Sequence, residues 1–272
     1  GIYPITVSGA AAPNYAISYN NATLTVTDSN PPPAEFTACG VVFFDVNRNG
    51  SRNTDEPGLA GITVKLYKGS TYVGCTVTGT DGSYCFTVVP GSYEVDVIEI
   101  AGMTPTNCDE REFTVSAANV TIADIGLGLN FCTLQDLKGD GKSHGYWKLN
   151  ISKANDNKTG GTQETKANLI AYTNTISSLM LSPFNGLTME GAETTLSASD
   201  QLKLQLLASE YNYVSGRYIN KSQTLTWAFI YWGELVAKNP SNYSFSYRTF
   251  VKNWMDAFNN SYGGKVDGPT GY

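Results

Sequence analysis

Apolar and polar positions change rhythm twice along this chain of 272 residues. In residues 1–28 they alternate, first in Tyr3-Pro-Ile-Thr-Val-Ser-Gly and then in Tyr15-Ala-Ile-Ser-Tyr-Asn-Asn-Ala-Thr-Leu-Thr-Val-Thr. A period of two predicts strands, with Asn20-Asn21 as the turn between the last two. Two or three strands this short cannot bury a core alone. They need either a preceding part of a module or another surface, such as the sheet of a neighbouring subunit. Asp28-Ser-Asn-Pro-Pro-Pro-Ala-Glu reads as a semi-rigid extended linker. Residues 37–127 then give about seven short strands with turn signals at regular spacing, the pattern of a β-sandwich. From residue 133 the period becomes helical. Leu202, Leu206, Leu207, Tyr211 and Val214 share a face, as do Leu225, Ala228, Phe229, Trp232, Leu235 and Val236, and Tyr247, Phe250, Val251, Trp254 and Phe258. A weaker helix is expected over about 164–181, and Ser197-x-x-Asp200 reads as a capping box. The prediction is a multidomain chain, β then α, ending in four or five helices with an aromatic core.

Between two strand-like runs lies Asp45-Val-Asn-Arg-Asn-Gly-Ser-Arg-Asn-Thr-Asp-Glu56, with oxygen side chains at positions 1, 3 and 5, glycine at 6 and glutamate at 12. That is the spacing of a calcium loop. A hard cation takes six to eight oxygen ligands, so the expected side-chain ligands are Asp45, Asn47, Asn49, Asp55 and Glu56, with Ser51 offering its carbonyl. The flanks are strands rather than helices, which makes the site structural rather than a sensor. The same composition also fits a solvated Asn/Asp-rich turn. A second, weaker cation loop is conceivable at Asp136, Asp140 and Ser143, where an ordinary Gly-rich turn is the favoured reading.

The loop and its surroundings carry a resemblance. Gly40-Val-Val-Phe-Phe-Asp-Val-Asn-Arg-Asn-Gly, then Asp-Glu-Pro-Gly-Leu-Ala-Gly-Ile-Thr-Val-Lys-Leu-Tyr, Thr80-Asp-Gly-Ser-Tyr-Cys-Phe and Pro90-Gly-Ser-Tyr-Glu-Val follow in order. Together they resemble the B-type repeat of the serine–aspartate-repeat surface adhesins (SdrD B-like), a relative of the collagen-adhesin B domain. The resemblance covers about 37–127 and implies a calcium-binding β-sandwich used as a rigid stalk module. Many such relatives carry a Lys–Asn or Lys–Asp isopeptide bond; the opening strand here has Phe and Val and no Lys, so that crosslink is not expected. Residues 1–28 are similar to the closing strands of an MBG repeat, which implies partial β-grasp-like strands. Gly145-Tyr-Trp-Lys, followed by Leu206-Leu-Ala-Ser-Glu-Tyr-Asn, is similar to a helical module of secreted bacterial repeat proteins, with Leu149 where Asn is usual. That last resemblance implies no activity.

Composition narrows the function. The net charge is −6, divided between 5 basic and 13 acidic residues in 1–127 and 13 basic and 11 acidic in 128–272. Neither half has the basic stripe that nucleic acid demands. Only 15% of residues are charged, which suits a secreted surface protein. No run reaches the roughly 20 apolar residues of a membrane helix, so no membrane insertion is expected in this region. The start at Gly1 without Met reads as a processed or excised part of a longer chain. Five cysteines occur, Cys39, Cys75, Cys85, Cys108 and Cys132, without a Cys-x-x-Cys pair. Disulfides in an oxidising compartment are expected. Cys75 with Cys85 across the Asp81-Gly82 turn, Cys39 with Cys108, and either of these last two with Cys132 are the pairings left open, beside buried free thiols. Asn-x-Ser/Thr sites such as Asn119, Asn150 and Asn259 permit glycosylation.

No catalytic constellation stands out. The sole histidine, His144, lies in a Gly-Lys-Ser-His-Gly stretch that reads as a turn, and no enzymatic role is expected. The first functional reading is therefore a structural or adhesive module of a large secreted bacterial cell-surface protein, stiffened by Ca2+. The second is a subunit of an extracellular filament assembled by strand complementation through residues 1–28. The third is a carbohydrate-binding module, resting on Tyr146, Trp147, Tyr262 and Tyr272 as exposed aromatics. The partners expected are copies of itself or a surface ligand, in an extracellular or cell-surface setting.

Overall fold

The computed structural model describes residues 2–11, 13–25, 32–130 and 137–261. The chain divides into two compact units, one of residues 1–35 and one beginning at Phe36. In the first unit β1 (Ile2–Ile5) pairs antiparallel with β2 (Ala22–Thr25), Ile2 opposite Thr25 and Ile5 opposite Ala22. The Asn20-Asn21 pair leads into β2 and does not turn between two strands, because 15–20 is not a strand. With only two strands the apolar side chains have nothing to cover them. Ile2, Ile5, Val7 and Leu24 are all exposed.

The second unit opens with a sandwich of nine strands, two more than the sequence pattern separates. One sheet is built on β3 (Phe36–Phe44), which pairs antiparallel with β6 (Ser83–Val88) on one edge. Its other edge takes β10 (Val120–Thr121) and then β11 (Ile125–Leu129), both parallel, and β11 carries β8 (Met103–Pro105). The facing sheet has the order β5 (Thr71–Val77), β4 (Thr63–Lys68), β7 (Gly91–Val97), β9 (Glu110–Val115). The alternation seen in the sequence points Val64, Leu66, Tyr93, Val95 and Val97 inward against Val42, Phe44, Tyr84 and Phe86.

The antiparallel register of β3 and β6 sets Cys39 opposite Cys85, with Cα atoms 4.1 Å apart, and these two form a disulfide. This corrects the Cys75–Cys85 and Cys39–Cys108 alternatives. Cys75 sits on β5 of the other sheet, opposite Lys65, and both Cys75 and Cys108 are free and exposed. Cys132 lies outside the described residues. The disulfide joins the opening strand to β6 in a sheet whose first strand has no lysine. Two turns also close on each other: a Cβ on Gly58 would fall 1.8 Å from Asp81 O, and one on Gly82, at φ +78°, would fall 2.2 Å from Val42 O.

Six helices follow: α1 (His144–Asn155), α2 (Lys166–Ile176), α3 (Met189–Thr195), α4 (Gln201–Val214), α5 (Gln223–Lys238) and α6 (Phe245–Asn259). Four or five were expected; α1 begins where a turn was expected at His144, and the short α3 was not singled out by periodicity. Ser143 Oγ caps α1 by accepting from Tyr146 N, so His144 begins a helix rather than sitting in a turn. Asp200, not Ser197, caps α4, accepting from Lys203 N. α3 reaches Thr195, and Ser197 Oγ donates back to Glu193 O, which leaves it on the end of the preceding helix.

The helical core is organised by Trp147 and by Asn259. Trp147 stacks on Tyr211, its ring centroid 5.1 Å away, and donates from Nε1 to Asn212 Oδ1 at 3.1 Å. Asn259 Oδ1 accepts from Ser209 and Asn212, and its amide donates to Gln205. These buried amides bind α1, α4 and α6 into one polar network with its members satisfied. Among the described residues no helix is long and apolar enough to cross a membrane.

Gly58→Ala is expected to destabilise the chain by about 1–3 kcal/mol, the usual cost of forcing extra volume into a closed contact. Gly74→Ala, whose new Cβ would meet nothing within 4 Å, serves as the control. Urea unfolding of both variants checks this.

Candidate metal site

The loop 45–56 leaves β3 and returns beside it. Phe44 N donates to Pro57 O at 2.8 Å and Leu59 N donates to Val42 O at 2.8 Å, so the excursion is pinched at its base. Asp45 N donates to Leu127 O, which fixes the first loop residue against β11. Two left-handed residues turn the chain inside the loop, Arg48 at φ +59° and Gly50 at φ +77°. Glycine takes that conformation without penalty, which is why position 6 of such a loop calls for it. Asn107 braces the outside, donating to Gly50 O at 2.9 Å and to Asp124 O and accepting from Gly126 N. Arg48 donates to Leu129 O at 2.7 Å and to Thr104 Oγ1 at 3.1 Å.

Six residues were singled out by spacing, and the structure treats them unequally. Asp45 and Glu56 are buried inside the loop. Asp45 accepts from Asn49 N at 3.1 Å and Gly50 N at 2.7 Å. Glu56 accepts from Asn53 N at 2.9 Å, Asn53 Nδ2 at 3.3 Å and Asn47 N at 3.4 Å. Asn47 and Asn49 are exposed, and each side-chain oxygen accepts from the backbone N–H two residues on, at 2.9 and 2.8 Å. Ser51 is exposed. So is Asp55, whose backbone carbonyl points away to Tyr231. Among the described residues no three His, Cys, Asp or Glu side chains converge as a metal cluster. What the loop gathers is two buried carboxylates, neither of them in an ion pair among the described residues, with amide and carbonyl oxygens around them. Both Asp45 oxygens and Glu56 Oε1 accept one N–H each and keep a second lone pair, while Glu56 Oε2 accepts twice from Asn53; the donor set is oxygen-only and suits a hard cation.

Sequence reasoning missed the wall on which this loop rests. Tyr231 of α5 donates its phenol to Asp55 O at 2.8 Å, and its ring meets Phe44 edge-on at 6.1 Å. Burial pushes that phenol up to about 12. Thr224, also on α5, donates to Ala60 O at 2.9 Å. Beside the loop, Phe44 and Arg48 share a cleft with Trp232, Tyr247, Phe250 and Trp254. Tyr247 and Phe250, expected in the core, stand at its rim and remain over a third exposed. The signal for this was the length of the apolar run on α5, in which Tyr231 falls on no face shared with Phe229 and Trp232.

The other candidates are dispersed. Asp140 is exposed, Ser143 Oγ is committed to the α1 cap, and Asp136 lies outside the described residues, so no second cation loop is assembled from them. His144 Nδ1 lies 3.4 Å from Gln205 Nε2. Trp147 is fully buried, and the half-buried Tyr146 ring has Lys142 Nζ at 5.5 Å and the Arg217 guanidinium at 6.0 Å over it, so neither offers an open aromatic face for a sugar; Tyr262 and Tyr272 lie outside the described residues. Asn150 and Asn259 are buried and hydrogen-bonded, which removes them as glycan acceptors in the folded chain.

Residues 38–126 match the family model of the SdrD B-like domain. The chain is 31% identical over 138 residues to serine-aspartate repeat-containing protein D of Staphylococcus aureus (strain Newman), covering 50% of this chain and 10% of that protein. It is 36% identical over 66 residues to Colossin-B of Dictyostelium discoideum, covering 23% of this chain and 2% of that one. The chain thus spans a tenth or less of the length of these relatives. Among solved structures, the minor pilin GBS52 of Streptococcus agalactiae aligns with a TM-score of 0.29 and 14% identity over 36% of this chain and 46% of that one.

Removing the phenol in Tyr231→Phe is expected to cost about 1 kcal/mol, the net worth of one hydrogen bond. Glu56→Ala strands the Asn47 and Asn53 amides and is expected to cost about 1–3 kcal/mol even with divalent cations chelated. Thermal unfolding in chelator measures both.

Proposed function

We propose that this chain is a structural module of a large secreted cell-surface protein of the adhesin type, in which the loop 45–56 binds Ca2+ and stiffens the joint between sandwich and helices. The observation that carries the reading is the buried carboxylate pair Asp45 and Glu56, set without a cationic partner in a loop packed on α5. Asp45 and Glu56 would supply the charge, Asn47 and Asn49 their amide oxygens, and Ser51 its carbonyl. Asp55, also proposed as a ligand, faces solvent and would have to turn inward. A cation held there binds the folded loop and not the unfolded chain, so it adds to stability by mass action. Because Asp55 O accepts from Tyr231, what stiffens the loop also stiffens its seat on the helices. Isothermal titration of the chelated chain with Ca2+ is expected to show one site and a rise in Tm. Asp45→Ala and Glu56→Gln are each expected to lower affinity at least tenfold. No heat and no Tm shift in the parent chain would remove calcium from the reading and leave a self-satisfied Asn/Asp turn.

A second reading is favoured by one observation, the uncovered apolar side chains of β1 and β2. Such a hairpin is marginal by itself, and a sheet edge on a neighbour would give it the missing partner. The neighbour would be another copy of this chain, making it a subunit of an extracellular filament. Deleting residues 1–28 is expected to abolish concentration-dependent growth in light scattering. A parent chain that stays monomeric at every concentration sinks this reading and leaves the stalk.

A further inference from the structure

The loop is not the only place where two carboxylates are buried together. Glu210 of α4 and Glu234 of α5 are both completely shielded from solvent in the helical core. Among the described residues, both oxygens of Glu210 and Oε1 of Glu234 meet no hydrogen-bond donor. Glu234 Oε2 accepts from Leu181 N at 2.6 Å. Leu181 sits between two left-handed residues, Met180 at φ +41° and Ser182 at φ +52°. That conformation is unfavourable for side-chain-bearing residues and persists only where the surroundings hold it. What holds it here is Glu234 on the amide of Leu181 and Lys238 Nζ on its carbonyl at 2.8 Å.

An isolated buried carboxylate with no donor is among the costliest arrangements a core can contain. Two of them facing one another are relieved most simply by a proton on one. Glu234 has the backbone donor and is the better place for the charge. Glu210 has none and is the better place for the proton.

We propose that Glu210 and Glu234 share a proton across the α4–α5 contact, and that this acid pair is a pH-sensitive latch for the segment 177–187. With one proton between them, Glu210 O–H donates to Glu234, and Glu234 keeps its grip on Leu181. When the proton leaves, two negative charges face each other in a dry core and the latch loosens. The electrostatic surroundings support this. Burial raises Glu210 well above the ordinary carboxyl range, with Glu234 adding to the effect, and burial pushes Glu234 up to about 8. Among the described residues Lys238 is the cation whose field opposes this, and it is committed to Leu181 O. The neighbouring phenols are engaged elsewhere, Tyr211 with Thr173 and Tyr231 with Asp55 O. The segment 177–187 carries no titratable side chain, and on α6 Arg248 and Lys252 face a separate cleft with Leu202 and Phe245.

The sign follows from linkage. A carboxyl raised in the folded state binds a proton that the unfolded chain has already lost above about pH 4.3. Stability from the pair is fully present below that value and is lost progressively as pH rises, through about 8 at Glu234 and further as Glu210 follows.

The test is thermal unfolding of the full chain between about pH 5 and pH 9 in chelator, comparing parent, Glu210→Gln and Glu234→Gln. The parent Tm is expected to fall across this range. Glu210→Gln, which keeps the shape and a donor but cannot ionise, is expected to lose most of that fall and to exceed the parent at the alkaline end. Parallel curves for parent and Glu210→Gln overturn the proposal. If Glu210→Gln fails to fold, Glu234→Gln reads the same slope. Infrared spectroscopy of the parent at neutral pH gives the independent readout: a protonated-carboxyl stretch is expected, and its absence overturns the proposal. A Ca2+-dependent rise in Tm that survives Glu56→Gln but vanishes on adding Glu210→Gln would mean that a cation, not a proton, fills the gap, and would likewise overturn it.

Discussion

Sandwich and helices share one core because the loop 45–56 is pressed between them. Its base is clamped by Phe44 N and Leu59 N, its start by Leu127 O, and its far end by Tyr231 of α5. Neither partner is complete without this contact. Phe44, at the end of β3, would expose its edge without the Tyr231 ring. Tyr231 and Trp227, stacked on each other at 5.3 Å, would face water without the sheet. A loop of twelve mostly polar residues is an unusual wedge, since its backbone groups must be satisfied wherever it is buried. Here the Asn and Asp side chains and Glu56 do that from inside, which frees the Asp55 carbonyl to reach the helix. A joint made of hydrogen-bonded backbone deforms less than a flexible linker.

Much of this was legible in the sequence, and the limits have physical causes. Strand alternation revealed the sandwich because inward apolar residues alternate with outward polar ones on β4, β6 and β7, whereas β5 also exposes Tyr72, Val73 and Val77. Helices α4 and α5 were visible because their apolar stripes continue for three turns or more. Helix α1 was hidden by its composition: Gly145, Asn150 and Ser152 weaken its periodicity, and only the Ser143 cap marks where it begins. The disulfide could not be chosen from spacing, since pairing Cys39 with Cys85 depends on the register of two strands separated by forty residues and more. The loop was read correctly as a joint between strands. What it rests on was invisible, because contacts such as Asp55 with Tyr231, 176 positions apart, leave no local pattern.

The two buried carboxylate pairs show how environment, not residue type, decides what an acid does. Asp45 and Glu56 are surrounded by backbone N–H groups aimed at their oxygens, which solvate a negative charge without neutralising it. Glu210 has no donor among the described residues and Glu234 has the Leu181 amide, so the same functional group is left to keep its proton. The difference originates in the backbone. A loop with Arg48 and Gly50 in the left-handed region turns its amides inward, whereas the middle of a helix has spent its amides on the helix itself and offers a buried side chain none. Only a third element can then supply a donor, and the strained turn at Met180–Ser182 supplies one, to Glu234 alone. Both pairs meet on α5: the loop that holds one rests on its Tyr231 through Asp55 O, and the other includes its Glu234, so the packing of a single helix depends on how each buried charge is compensated.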